Sequence, residues 1–92
     1  MASILITGAS KGIGMATALV LARAGHTVYA TMRSPRQYPE LLDTATSEKL
    51  PIQILTMDVD SDESVKETIA TILAGNRGID VLVNNAGIES RG

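Results

Sequence analysis

The sequence has no cysteine, no tryptophan and no phenylalanine, and a single histidine, His26. Without cysteine there is no disulfide, no thiol nucleophile and no cysteine cage for a metal. One histidine excludes a histidine-rich metal site, and because His26, just before a β-branched run, reads as a surface turn residue, no Ser-His triad is expected. Tyr29 and Tyr38 are the two aromatics, so the core must be built from Ile, Leu, Val, Ala and Met. No apolar run approaches the ~18 residues of a membrane-spanning helix. The N-terminal stretch MASILITGAS lacks the basic and long apolar segments of a secretory signal. The expectation is a cytoplasmic protein with no membrane partner. With 92 residues the chain is one domain at most, and a chain of this size buries about 60–65% of its unfolded surface.

Acid is also missing from one region. Residues 1–39 contain no Asp or Glu but carry Lys11, Arg23, Arg33 and Arg36, whereas all ten acids lie in residues 40–92. One reading is chance and solvated faces; the other is that the first third handles an anion. Four cations without aromatic neighbours do not make a nucleic-acid groove.

What is present alternates. Residues 3–7 (SILIT) form a short apolar, β-branched run that predicts a buried strand. Residues 12–24 are small or apolar apart from Arg23, which predicts a helix packed closely on a sheet, with Gly25 as the residue that ends it. Residues 27–32 (TVYATM) predict a second strand, and Pro39 opens a short helix through Leu41 and Leu42. Residues 52–57 (IQILTM) predict a third strand. The acids around Asp60 and Asp62 mark a helix start. Val65, Ile69, Ile72 and Leu73 then share one helical face, Gly75 and Gly78 bracket its end, and residues 79–83 (IDVLV) predict a fourth strand. Strands alternating with helices imply a parallel sheet covered on both faces, with right-handed crossovers.

The stretch TGASKGIG, residues 7–14, joins the first strand to the first helix. In such sheets ligands bind beyond the carboxyl ends of the strands. The first N–H groups of the helix have no internal partner and suit a phosphate. Gly8 permits a sharp turn off the strand, Gly12 permits close approach of a ligand, and Gly14 lets helix and strand lie close. Ser10 offers a hydroxyl and Lys11 a charge. The spacing is neither G-x-G-x-x-G nor that of a P-loop, and a bare turn is the alternative reading.

These residues, from Thr7 to Gly14, resemble the short-chain dehydrogenase/reductase family, and two further stretches agree: Asp58-Val59 after the third strand and Asn84-Asn85-Ala86-Gly87 after the fourth. The resemblance covers essentially the whole chain. It implies a Rossmann-like, doubly wound α/β sheet with strand order 3-2-1-4, making residues 1–92 a truncated dinucleotide-binding domain, the N-terminal half of a reductase. It implies that the loop containing Gly8, Ser10, Lys11, Gly12, Ile13 and Gly14 holds a pyrophosphate. By the same resemblance Asp58 accepts from the adenine amino group beside Val59, and Asn84, Ala86 and Gly87 line the adenosine ribose. Thr7 and Asn84 tie the sheet ends together. Asp58 as a mere helix-start acid and the asparagines as a polar turn remain open, and Val59 is expected in the core under either reading.

An NAD site needs a carboxylate after the second strand for the ribose 2′-OH. That place holds Met32-Arg33, and no acid occurs before Glu40. Arginine pairs with a 2′-phosphate that a carboxylate would repel, and Lys11 approaches from the other side, so the expected cofactor is NADP, unless Arg33 is simply a solvated surface residue. The segment Val28 to Arg33 is similar to that of NADP-preferring carbonyl and steroid reductases. The family's chemistry is hydride transfer between nicotinamide and a small-molecule carbonyl or alcohol, through a tyrosine, a lysine four residues on, and a serine. Arg33 follows Tyr29 by four and Leu42 follows Tyr38 by four, and Ser90 comes too early for the serine. No residue of this chain is therefore assigned a catalytic role, and the chain alone is expected to be inactive. The alternatives are a non-catalytic NADP-binding or sensor module and a flavodoxin-like switch domain, the latter disfavoured because its acidic cluster at the strand ends is replaced here by glycines. An apolar edge at residues 79–83, interrupted only by Asp80, predicts self-association or a homo-oligomer.

Overall fold

The computed structural model describes residues 2–75 and 78–85. Chain order is β1 (Ser3–Ile6), α1 (Gly12–Arg23), β2 (Thr27–Met32), a 3-10 turn at Pro35–Gln37, α2 (Glu40–Glu48), β3 (Ile52–Thr56), α3 (Asp62–Gly75) and β4 (Val81–Val83). The strands form one parallel sheet in the order β3-β2-β1-β4, the order that the resemblance implies.

Alternation along the two central strands divides the core. Ile4 and Ile6 of β1 and Val28, Ala30 and Met32 of β2 face α1 and α2, where they meet Ala18, Ala22 and Leu41. Leu5 and Tyr29 face the other way, onto Ile72 and Ile69 of α3. Burying each large aliphatic side chain contributes about 1.5–3 kcal/mol, which is how strands of four and six residues hold the centre of the sheet. The buried residues of α1 are Gly14, Ala18 and Ala22, spaced four apart, so a stripe of small residues brings this helix close to the sheet. The stripe is narrower than the composition predicts: Val20 and Ile13, equally apolar, point outward.

The ends of the elements follow local chemistry. Gly25 (φ 98°) closes α1, its N–H donating to the Ala22 carbonyl while that of His26 donates to Leu21, a pattern that satisfies carbonyls left over at a helix end. His26 does more than fill a turn: its Nδ1 accepts the Ala2 N–H at 3.1 Å, tying the start of β1 to the α1–β2 turn. β4 is shorter than the predicted run. Ile79 packs inward beside Ile72, and the Asp80 carboxylate and N–H bond Ser3 at 2.8 Å each, so these two residues lead into the strand rather than extend it. β4 lies at one edge of the sheet, with Val81 and Leu82 exposed. No helix among the described residues is long and apolar enough to cross a membrane.

Candidate functional site

The chain leaves β1 at Thr7, whose N–H donates to the Val83 carbonyl at 3.0 Å. Its hydroxyl donates to Asn84 Oδ1 at 3.2 Å, the expected tie between sheet ends. Gly8 and Gly12 both have positive φ, 63° and 61°, a region that costs a residue with a Cβ dearly and glycine nothing. Between them Ala9 is fully buried and its N–H donates to the Thr31 carbonyl. Thr31 in turn donates its hydroxyl to the Ile6 carbonyl at 2.9 Å. The loop is thus pinned to β2 from below.

Gly14 sits where the helix passes under this loop. A Cβ built there would lie 2.3 Å from the Gly8 carbonyl oxygen and 2.6 Å from Asn85 Nδ2. The close approach expected of Gly14 is therefore enforced by backbone. Asn85, part of the Asn84-Asn85-Ala86-Gly87 stretch but given no role there, is the third member of this contact. It is buried, and its side-chain amide donates to the Gly8 carbonyl at 3.0 Å. Its partner in the pair, Asn84, is exposed at the end of β4.

Above the loop lies an open cleft of about 490 Å³, lined by Gly8, Ser10, Lys11, Arg33, Val59 and Asp60 together with Ser34, Gln37, Tyr38 and Met57. That volume falls in the range of small-molecule sites, roughly 300–1,000 Å³. At its floor α1 begins with Lys11 as N-cap, without a side-chain cap and without an acid in the first turn, so the positive end of the helix carries no internal counter-charge. Gly12 and Ile13 form the start of α1, Ile13 being exposed there. The Lys11 ammonium stands 5.9 Å from the centre of the Tyr38 ring, a cation–π separation.

The opposite wall comes from the ends of β2 and β3. Their parallel register pairs Met32 with Thr56, which brings the residues that follow each strand together. Arg33 Nε lies 3.4 Å from Asp58 Oδ1, and Arg33 Nη2 lies 3.2 Å from Asp60 Oδ2. Asp58 is held by the turn: its N–H donates to Ser64 Oγ and its Oδ1 accepts the Asp60 N–H, each at 3.0 Å. Asp58 thus serves the helix start and also contacts Arg33, which lines the cleft. Val59 is not in the core. It is 39% exposed, because residues 58–60 leave the sheet to form the turn into α3 and turn this side chain to the cleft rather than to the interior.

The structure gathers Gly8, Ser10, Lys11, Arg33 and Val59 around one cleft, with Asp58 joined through Arg33. Ala86 and Gly87 lie outside the described residues. Asp60, Tyr38 and Gln37 line the cleft, a role the sequence does not give them; Asp60 stands two residues after Asp58, and it is the β2–β3 register that brings it to Arg33.

The family model for short chain dehydrogenases matches residues 2–92. The chain is similar to an NADPH-dependent pterin aldehyde reductase of Arabidopsis thaliana, 44% identical over 85 residues, which cover 92% of this chain and 35% of the relative. It is also similar to a 3-ketodihydrosphingosine reductase of Bacteroides thetaiotaomicron, 40% identical over 86 residues, covering 92% of this chain and 28% of that protein. Among solved structures, an actinorhodin polyketide ketoreductase variant with NADPH superposes with a TM-score of 0.83 at 28% identity, covering 91% of this chain and 32% of that one. The chain therefore spans about a third of the length of the curated relatives it matches.

Proposed function

The chain belongs to the short-chain dehydrogenase/reductase family, and from that membership we propose that its cleft binds NADP(H) for an oxidoreductase acting on a small-molecule carbonyl or alcohol. The observation that carries the reading is the placement of Arg33 and Lys11 on the same cleft as the bare Gly8–Ser10 backbone, with arginine where an NAD site needs an acid. The residues fit the cofactor. The uncapped start of α1 and the glycine-shaped loop suit a pyrophosphate. Arg33 and Lys11 suit a 2′-phosphate, and Asp58 with Val59 suits the adenine. Asn84, Ala86 and Gly87 are assigned to the ribose side on the family pattern. The names of two similar proteins, which specify NADPH, support the same choice.

Bound NADPH supplies a hydride to a carbonyl carbon; in the reverse direction NADP accepts one. The residues of this chain bind and orient the dinucleotide, while the proton transfer is assigned to the whole protein rather than to any residue described here. Self-association through β4 rests on its exposed Val81 and Leu82, and sedimentation over a range of concentrations reads it.

The test is to titrate NADP and NAD against the protein as its gene encodes it and against Arg33→Asp. A charge-assisted hydrogen bond contributes about 1.5–3 kcal/mol, so the wild type prefers NADP by roughly tenfold to a hundredfold, and the variant loses that preference. Equal affinities in the wild type would refute the assignment of Arg33 to the 2′-phosphate.

A further inference from the structure

Arg33 is the cation best placed to select the cofactor, yet it already has partners. Its Nε faces Asp58 and its Nη2 faces Asp60. The two acids differ. Asp58 is tied into the turn through the Ser64 hydroxyl and the Asp60 N–H. The Asp60 carboxylate reaches out to Arg33 from a side chain that is 79% exposed, and Asp60 lines the same cleft as Lys11 and Arg33.

We propose that Asp60 is a specificity-determining residue that competes with the dinucleotide 2′-phosphate for the Arg33 guanidinium, and so restrains the preference for NADP over NAD. The inference rests on the cofactor reading above.

Asp60 has two opposite effects on a 2′-phosphate. It orients Arg33 across the cleft mouth, which favours binding. It also occupies a guanidinium N–H and adds a negative charge beside an incoming dianion, which disfavours binding. Orientation by an exposed ion pair is worth little, and at 3.2 Å with 67% of the Arg33 side chain exposed this pair has no burial to strengthen it. Asp58 continues to hold Nε when Asp60 is neutralised. Competition and repulsion therefore prevail. NAD, which has no 2′-phosphate, is indifferent to this contest.

The experiment measures dissociation constants of NADP and NAD, at fixed low ionic strength, for the protein as its gene encodes it and for Asp60→Asn, Asp60→Glu, Arg33→Gln and the Arg33→Gln/Asp60→Asn pair. Asp60→Asn is expected to tighten NADP by roughly two- to fivefold with NAD unchanged. Asp60→Glu, which keeps the charge, retains the wild-type ratio. Without Arg33, the Asp60→Asn effect shrinks toward nothing, since no guanidinium is left to compete for. A weaker or unmoved NADP affinity in Asp60→Asn overturns the inference, as does an effect that persists undiminished in the Arg33→Gln background. A wild type that binds neither dinucleotide overturns the cofactor reading and this inference with it. A wild type that prefers NADP beside an unresponsive Asp60→Asn overturns the inference alone.

Discussion

On one wall of the cleft the chain from Gly8 to Gly14 presents backbone fixed by packing from below; on the other, Arg33, Asp58 and Asp60 present charges fixed by one another and by a turn. The first wall has buried supports, Ala9, Thr31 and Asn85, and leaves no space where Gly14 passes beneath it. The second is open to solvent, with Arg33 and Asp60 mostly exposed. Packing in a protein interior is felt to the level of a single methyl group, whereas exposed ion pairs rearrange at little cost. The difference matches the two parts of a dinucleotide. On the proposed cofactor reading, the pyrophosphate common to NAD and NADP faces the invariant surface, and the 2′-phosphate that distinguishes them faces side chains that can change partners.

The largest expected effect breaks the rigid wall. In Gly14→Ala the new methyl meets the Gly8 carbonyl oxygen at 2.3 Å. Replacing glycine inside a helix normally gains up to about 1 kcal/mol, but here the neighbour is backbone and cannot swing aside. Overpacking costs about 1–3 kcal/mol, so the variant is destabilised in urea titration and binds NADP and NAD alike more weakly. Asn85→Ala, which removes the donor to the Gly8 carbonyl, costs about 1 kcal/mol. It does not rescue Gly14→Ala, because the clash with the Gly8 oxygen remains. A double variant with restored stability would show instead that Asn85, not the backbone, sets the wall.

The two walls were also unequally legible in the sequence. Gly8, Gly12 and Gly14 stand within seven residues, and their spacing between an apolar run and a helix pattern carries most of the loop's geometry. The helix start near Asp62 follows from an equally local pattern, whereas the strand order is what the family resemblance implies. What the sequence hid depends on contacts across the chain. Asn84 and Asn85 stand in one motif, with a role implied for Asn84 alone and a polar turn as the alternative, although successive residues leaving a strand point to opposite sides: the first is exposed and the second buried under Gly8. Arg33 and Asp58 were assigned separate roles, because nothing local shows that the β2–β3 register brings them within ion-pair distance. Val59 is expected in the core under either reading of its motif, yet a residue in a turn follows the path of the turn, and it is exposed.

Between the rigid wall and the adaptable one, the expected selectivity changes at Arg33 and Asp60 test the second, and a charge pair remote from the cleft sharpens the comparison with the smallest effect. Arg23 of α1 and Glu48 of α2 form a two-pronged bridge, Nε to Oε1 at 2.9 Å and Nη2 to Oε2 at 2.6 Å. Both contacts are shorter than those of Arg33, so this pair has settled geometry where Arg33 is available for exchange. The hydrogen bond from Arg23 holds the Glu48 carboxyl below its ordinary value and, reciprocally, holds the Arg23 guanidinium above its own. A carboxyl depressed on folding contributes stability that is full above its unfolded value, about 4.3, and that is lost as pH falls through the lower folded value. Wild type is therefore slightly more stable than Glu48→Gln at neutral pH, and the gap closes in acid below that range and shrinks with added salt. Urea titrations of the two proteins across acid pH check the sign. A gap that widened in acid would mean that the pair is not what joins α1 to α2, and that exposure alone does not separate the exchangeable charges of the cleft from fixed ones.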